Sequence, residues 1–164
     1  MQMTAPEKSR LREELIKARK AVLPAEKELK DAAVFEKLLA LPEFARAKLV
    51  LTYVSSPIEV DTRRLISYCV EKGIEVAEPK TENRDMFFVL MNRDVKVVDF
   101  GGSICIVPAL AYNAGNYRVG FGGGFYDRFL SGYDGFSAGL CYREFIREFR
   151  AEGHDCPVDV VIHD

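Results

Sequence analysis

No two of the four cysteines, Cys69, Cys105, Cys141 and Cys156, form a C-x-x-C pair. That scatter excludes a zinc ribbon or a disulfide framework and reads as reduced, partly buried thiols in a cytoplasmic protein. Histidine is scarce, with only His154 and His163, each followed by an aspartate. Two histidines so placed read as orientation pairs or surface groups. Charge of one sign is lacking as well. The formal net charge is −2, which gives no electrostatic footprint for nucleic acid or an anionic membrane surface. No apolar run approaches bilayer length, and the first residues lack a signal-peptide core. Internal repeats and low-complexity tracts are also missing.

What remains is an ordinary globular composition, 48% hydrophobic and 29% charged over 164 residues. It is expected to form one domain over residues 1–164, with a real core. Glycine is concentrated in one place. The apolar run Ile104 to Val107 ends at Pro108, and four glycines then fall within Gly120–Gly124, between Arg118 and Asp127. Glycine at such density costs backbone entropy and usually serves positive φ or close backbone approach. Bare N–H groups in such a loop can form an anion nest. Arg118 adds a planar cationic fork for phosphate or carboxylate, and Asp127 adds a hard oxygen donor of the kind Mg²⁺ takes. The competing reading is a tight turn with Arg118 and Asp127 as a surface pair. Both common glycine signatures fail: Phe121 stands where a P-loop needs lysine, and Phe125 where a dinucleotide fingerprint needs its third glycine.

The rest of the chain alternates between two periods. Residues 1–6 read as loose. From Glu7, Leu11, Leu15, Ala18 and Val22 recur at helical spacing, with Lys8 and Arg12 together on one face. Taken alone, that face reads as solvated. A second helix is expected over 25–41 with Leu29, Ala33, Leu38 and Leu41 as its buried stripe, and a third over 62–72, capped by Asp61 and closed by Gly73. Strands are expected at 49–54, 74–77 (ended by Pro79-Lys80), 86–91 with a hairpin partner at 95–98, 104–107 and 137–140. A short helix should start at Phe125, and another should cover 143–150. Glu59 lies at a strand end, where open α/β sheets gather ligands. The final strand runs to Ile162 with Asp159 embedded in it. A buried carboxylate there needs a partner or a metal, unless it points to water at a strand edge. Alternating strands and helices imply an α/β fold, a mainly parallel sheet with helices on both faces.

Four blocks together resemble the 5-formyltetrahydrofolate cyclo-ligase (methenyltetrahydrofolate synthetase) family. They are Lys8-x-x-Leu11-Arg12, Glu59-Val60-Asp61-Thr62, the run from Val107 to Leu130, and His154-Asp155-x-Pro157-Val158-Asp159. The central run contains Val107-Pro108-Ala109-Leu110-Ala111-Tyr112 and Arg118-Val119-Gly120-Phe121-Gly122-Gly123-Gly124-Phe125-Tyr126-Asp127-Arg128-Phe129-Leu130. The resemblance implies a three-layer, Rossmann-like fold. It also implies a reaction in which ATP and 5-formyltetrahydrofolate give 5,10-methenyltetrahydrofolate, ADP and phosphate, with Mg²⁺ required.

By the same resemblance, Lys8-Ser9-Arg10-Leu11-Arg12 and Arg118 would meet the ATP phosphates. Gly120, Gly122, Gly123 and Gly124 would wrap ATP and, with Phe121, the folate's formyl end. Glu59 would hydrogen-bond the pterin, Arg118 and Tyr126 would act at the reacting group, and Asp127 and Asp159 would hold Mg²⁺. The implied partners are small molecules only, with the chain a monomer. Two departures mark this sequence. Glycine stands at 123 where members often carry lysine, and the stretch 88–104 is short and lacks a G-I-L-E-P-like motif. Two other readings stay open: a diverged homologue that activates another formyl or carboxyl group with ATP, and a non-catalytic nucleotide- or folate-binding module.

Overall fold

The computed structural model describes residues 2–164. A seven-stranded sheet runs in the order β4-β3-β2-β1-β5-β8-β9. Its members are β1 (Leu49–Thr52), β2 (Glu75–Glu82), β3 (Asp85–Leu90), β4 (Val95–Lys96), β5 (Ser103–Val107), β8 (Phe136–Cys141) and β9 (Val160–His163). Between β5 and β8 lies a two-stranded antiparallel hairpin, β6 (Ala111–Tyr112) with β7 (Arg118–Val119). Pairings among β2, β1, β5, β8 and β9 are parallel, and the β3–β4 edge is antiparallel. The expected mainly parallel α/β sheet is thus the observed one. All four residues of β1 and the last four of β5 are buried, as a strand covered on both faces requires.

Among the described residues five α-helices accompany the sheet: α1 (Ala5–Lys20), α2 (Pro24–Leu39), α3 (Pro42–Ala45), α4 (Arg63–Lys72) and α5 (Phe125–Ser131). From the central β1–β5 pair the chain leaves in opposite directions, through α4 to β2 and through α5 to β8. Right-handed crossovers then put α4 and α5 on opposite faces. The point where strand order reverses lies between β1 and β5, and its crevice opens beyond their carboxyl ends, where ligands bind in sheets of this kind. Pro108 follows β5 at that mouth.

Several local expectations need correction. Helix α1 begins at Ala5, because Thr4 accepts from Glu7 N and the Glu7 carboxylate accepts from Thr4 N, a reciprocal cap that fixes the first turn. Met1 lies outside the described residues. Leu29 is 75% exposed, and Val34 with Leu38 forms the buried stripe of α2 instead. The N-cap of α4 is Thr62, and Asp61 accepts from Arg63 N beside it; Gly73 closes the helix in the left-handed region as expected. Strand β2 passes through Pro79, because beyond Ala77 it pairs only with β3, leaving one edge where a missing N–H is tolerated.

The helix expected over 143–150 shrinks to a 3-10 turn, Arg143–Phe145. Ile146 bridges Tyr112, and Arg147 N donates to Tyr112 O at 2.9 Å, so tertiary pairing with β6 takes the segment from its helical tendency. Asp159 precedes β9 rather than lying inside it, and it is exposed.

Arg19 is the one buried arginine of the described residues, at 4% exposure. Its guanidinium donates to the carbonyls of Leu110, Ala109 and Ile58, each at 2.9 Å. The Phe145 ring lies 4.6 Å from its centre, within cation–π range. Sequence periodicity marked neither this residue nor its task, which is to pin α1 to the segments that leave β1 and β5.

Candidate active site

At the mouth beyond β5 lies a cavity of about 590 Å³. Helix α1 contributes Lys8, Leu11 and Arg12, and the glycine run contributes Gly120 to Gly124. Arg118, Tyr126 and Asp127 lie on the same wall, and Glu152, His154 and Asp155 close the side towards the chain end. The β2–β3 hairpin supplies Pro79, Lys80, Thr81 and Met86. That hairpin forms one wall of the cavity.

The loop conformation explains its glycines. Gly122 and Gly124 have φ of +107° and +67°, where a side chain is strained. Arg12 Nε donates to Gly120 O at 3.0 Å, so the cation from α1 holds the loop it is expected to share a ligand with. Gly124 leads directly into α5, whose first turn carries Tyr126 and Asp127.

Arg118 is nearly enclosed, its side chain 5% exposed. It donates to Asp127 Oδ1 and to Cys156 O, each at 2.8 Å. The Cys156 N–H donates to the same Asp127 oxygen at 2.9 Å. One residue, Cys156, therefore straddles both members of the ion pair through its N–H and its C=O. Lys8 pairs with Glu152 across the cavity. The Tyr126 hydroxyl is buried without a hydrogen-bond partner among the described residues. Burial, above all, drives its pKa well above the ordinary value, with the nearby Cys105, Tyr112 and Glu59 adding to the shift. It therefore stays protonated, a neutral and buried O–H donor beside the cavity.

Not every expected residue arrives here. Ser9 and Arg10 are exposed and outside the cavity wall. Glu59 is also outside it; its carboxylate accepts from Ser56 N at 2.6 Å and closes its own turn. Asp159 is not joined to Asp127 at the cavity. Its Oδ2 accepts from the Ser137 N–H at 2.7 Å and from Ser137 Oγ at 3.1 Å, which answers the question of how this carboxylate is satisfied. The acids that do reach the cavity with Asp127 are Glu152 and Asp155. With His154 they bring three ligand atoms within 4.8 Å of one another. The segment Glu152-Gly153-His154-Asp155 carried a signal for this, since three donors fall within four residues.

A shared loop, two arginines and a carboxylate cluster can serve many phosphate ligands, so the decisive observation is a family one. The model of the 5-formyltetrahydrofolate cyclo-ligase family matches residues 4–103, well over half of the chain. The chain belongs to that family. Among cyclo-ligases, the 5-formyltetrahydrofolate cyclo-ligase of Mycoplasma pneumoniae is 26% identical over 96% of this chain and 99% of its own length. A probable 5-formyltetrahydrofolate cyclo-ligase of Schizosaccharomyces pombe is 25% identical over 79% of this chain and 81% of its own. The solved 5,10-methenyltetrahydrofolate synthetase of M. pneumoniae superposes with a TM-score of 0.87 at 25% identity, over 96% of this chain and 99% of that one. The Aquifex aeolicus 5,10-methenyltetrahydrofolate synthetase gives 0.80 at 27% identity, over 94% and 88%. The family model ends before the glycine run begins, whereas the alignments with the M. pneumoniae relative and structure extend over 96% of the chain. No helix of the described residues is long and apolar enough to cross a membrane.

Proposed function

We propose that this chain, working as a single-domain monomer in the cytoplasm, converts 5-formyltetrahydrofolate to 5,10-methenyltetrahydrofolate with ATP as co-substrate and Mg²⁺ as cofactor. The observation that carries the reading is the convergence on one cavity of Lys8 and Arg12 from α1, the glycine run, and Arg118, Tyr126 and Asp127. The formyl oxygen is a poor leaving group. Transfer of the γ-phosphoryl group to it forms an O–P bond, breaks the bond to ADP and leaves the formyl carbon electrophilic. The neighbouring folate nitrogen attacks that carbon, loses its proton, and the C–O bond breaks with phosphate carrying the electron pair. Such chemistry asks the protein for positioning and charge neutralisation rather than for a nucleophile.

The residues present suit those tasks. Lys8 and Arg12 face the cavity from one side of α1 and supply positive charge for the phosphates. The loop from Gly120 to Gly124 brings bare backbone close to them. Arg118 is held in a fixed plane by Cys156 O and Asp127, and Tyr126 lines the same wall, its unpartnered hydroxyl buried behind it. Divalent magnesium prefers carboxylate and phosphate oxygens. Glu152 and Asp155, whose ligand atoms lie with that of His154 within 4.8 Å of one another, offer such oxygens, and Asp127 lies on the same cavity wall, whereas Asp159 is held by Ser137. When bound, the metal would supply charge neutralisation to the phosphates.

The test is the absorbance of methenyltetrahydrofolate formed from 5-formyltetrahydrofolate, with and without ATP and Mg²⁺. Product is expected only with all three. Asp127→Ala should lower turnover at least about 100-fold, read beside its melting curve because it also strips the nearly enclosed Arg118 of its carboxylate. No product at high protein concentration, with ATP still bound in a calorimeter, would point instead to a homologue that activates another formyl or carboxyl group. Absence of ATP binding as well would leave only a binding module.

A further inference from the structure

Both functional cations that face carboxylates in the cavity are already paired with them. Lys8 pairs with Glu152, their side chains 28% and 18% exposed. Arg118 pairs with Asp127 at 2.8 Å, their side chains 5% and 22% exposed. In each pair the cation is suited to a phosphate and the carboxylate to a hard metal ion. The pairs are also joined through the chain, since Cys156, which clasps Arg118 and Asp127 through its own C=O and N–H, directly follows the Glu152–Asp155 segment. A phosphate alone must compete with Glu152 and Asp127 for its cations. A divalent cation alone must compete with Lys8 and Arg118 for its carboxylates. Arriving together, the two exchange partners with both pairs, and no charge is left uncompensated in a half-buried site.

Resting on the nucleotide and metal reading above, we infer that the Lys8–Glu152 and Arg118–Asp127 pairs couple nucleotide uptake to metal uptake, with Glu152 a positioning residue that holds Lys8 until the metal arrives. Coupling of this kind is reciprocal, so each ligand raises the affinity of the other by the same factor. The distinctive consequence concerns nucleotide without metal: removing a carboxylate should improve its binding.

The experiment is calorimetric titration with a non-hydrolysable ATP analogue, once in chelator and once with Mg²⁺. In the parent protein, Mg²⁺ should tighten the analogue by about tenfold. In Glu152→Gln, the metal-free Kd should fall about threefold, and the gain from Mg²⁺ should shrink. Glu14→Gln, on the exposed side of α1, makes the same change in net charge and should leave the metal-free Kd unchanged. Asp127→Asn should move in the same direction as Glu152→Gln. Because it strips a nearly enclosed arginine of its partner, its melting curve is recorded first, and Glu152→Gln decides alone if it unfolds. An unchanged or weaker metal-free Kd in Glu152→Gln overturns the inference, as does an equal gain in Glu14→Gln. A parent that binds no analogue in either buffer overturns the nucleotide reading itself, a result distinct from the other two.

Discussion

The two ends of α1 carry the same chemistry to opposite purposes. Towards its start, Lys8 and Arg12 stand on a cavity wall, half-buried, with Arg12 holding Gly120 O. Near its end, two turns beyond Arg12, Arg19 is buried and gives its three nitrogens to the carbonyls of Leu110, Ala109 and Ile58. Arg19 faces no carboxylate in any of these bonds. Its charge is answered by carbonyl dipoles and by the Phe145 ring, which cannot move away to another ligand. Lys8, at the other end, is answered by the Glu152 carboxylate, which can. One helix thus anchors the mouth of β1 and β5 with one arginine and leaves exchangeable cations where phosphate is expected.

The sharpest way to break that contrast is Arg19→Met. The methionine fits the space but leaves three carbonyls without donors, two of them in buried residues, and each orphaned group costs on the order of 1–3 kcal/mol, partly recovered if water enters. A net loss of about 3 kcal/mol is expected, which for a chain of this size lowers the melting temperature by roughly 10 °C. Denaturation followed by circular dichroism measures it, and a shift below about 2 °C would show that the carbonyls are satisfied in another way. Lys8→Met is the counterpart. It should leave the melting temperature within about 1 °C and raise the KM for ATP about tenfold, the cost of one charge-assisted contact. A large loss of stability in Lys8→Met would erase the distinction between the two ends.

The same contrast separates what could be read from the sequence from what could not. Sheet strands β1 and β5 are continuous apolar runs, and a period of two or of none is visible without any partner. Helix α1 was legible from Leu11, Leu15 and Ala18 because its buried face repeats at helical spacing. The glycine run was legible as a loop because glycine density has few other uses. Arg19 was not, since an arginine on a helix looks solvated until the carbonyls that meet it, some 40 and 90 residues away along the chain, are in place. The hairpin β6–β7 is a milder case. Asn113 accepts from both Gly115 N and Tyr117 N at 3.0 Å, an Asx turn whose Asn-x-Gly-Asn signature stood in the sequence between Ala111-Tyr112 and Arg118-Val119. Asp159 was misread for the opposite reason. Its apolar neighbours suggested burial, but the strand starts one residue later, and Ser137 on β8 was waiting with two donors.

Gly123 offers the smallest and most local test of the site end. Family resemblance suggests lysine here, yet a Cβ at this position would come within 2.6 Å of the Phe125 ring. That ring is in turn covered by the Arg128 guanidinium, 5.0 Å from its centre, and Arg128 holds Gly123 O at 2.9 Å. The side chain that a lysine would project is thus replaced by an aromatic ring lying back over the loop. Gly123→Ala forces Phe125 to rotate and loosens the Arg128 clasp. Because loop and ring are partly exposed, the stability cost should stay within about 1 kcal/mol. Turnover is the more sensitive readout, since misplacing phosphate-binding backbone by about 1 Å can cost up to 100-fold. A fall of roughly tenfold in kcat, with the melting temperature nearly unchanged, is expected. If kcat is unaffected, the packing of Phe125 on Gly123 is incidental, and the cations of α1, not the loop backbone, set the position of the phosphates.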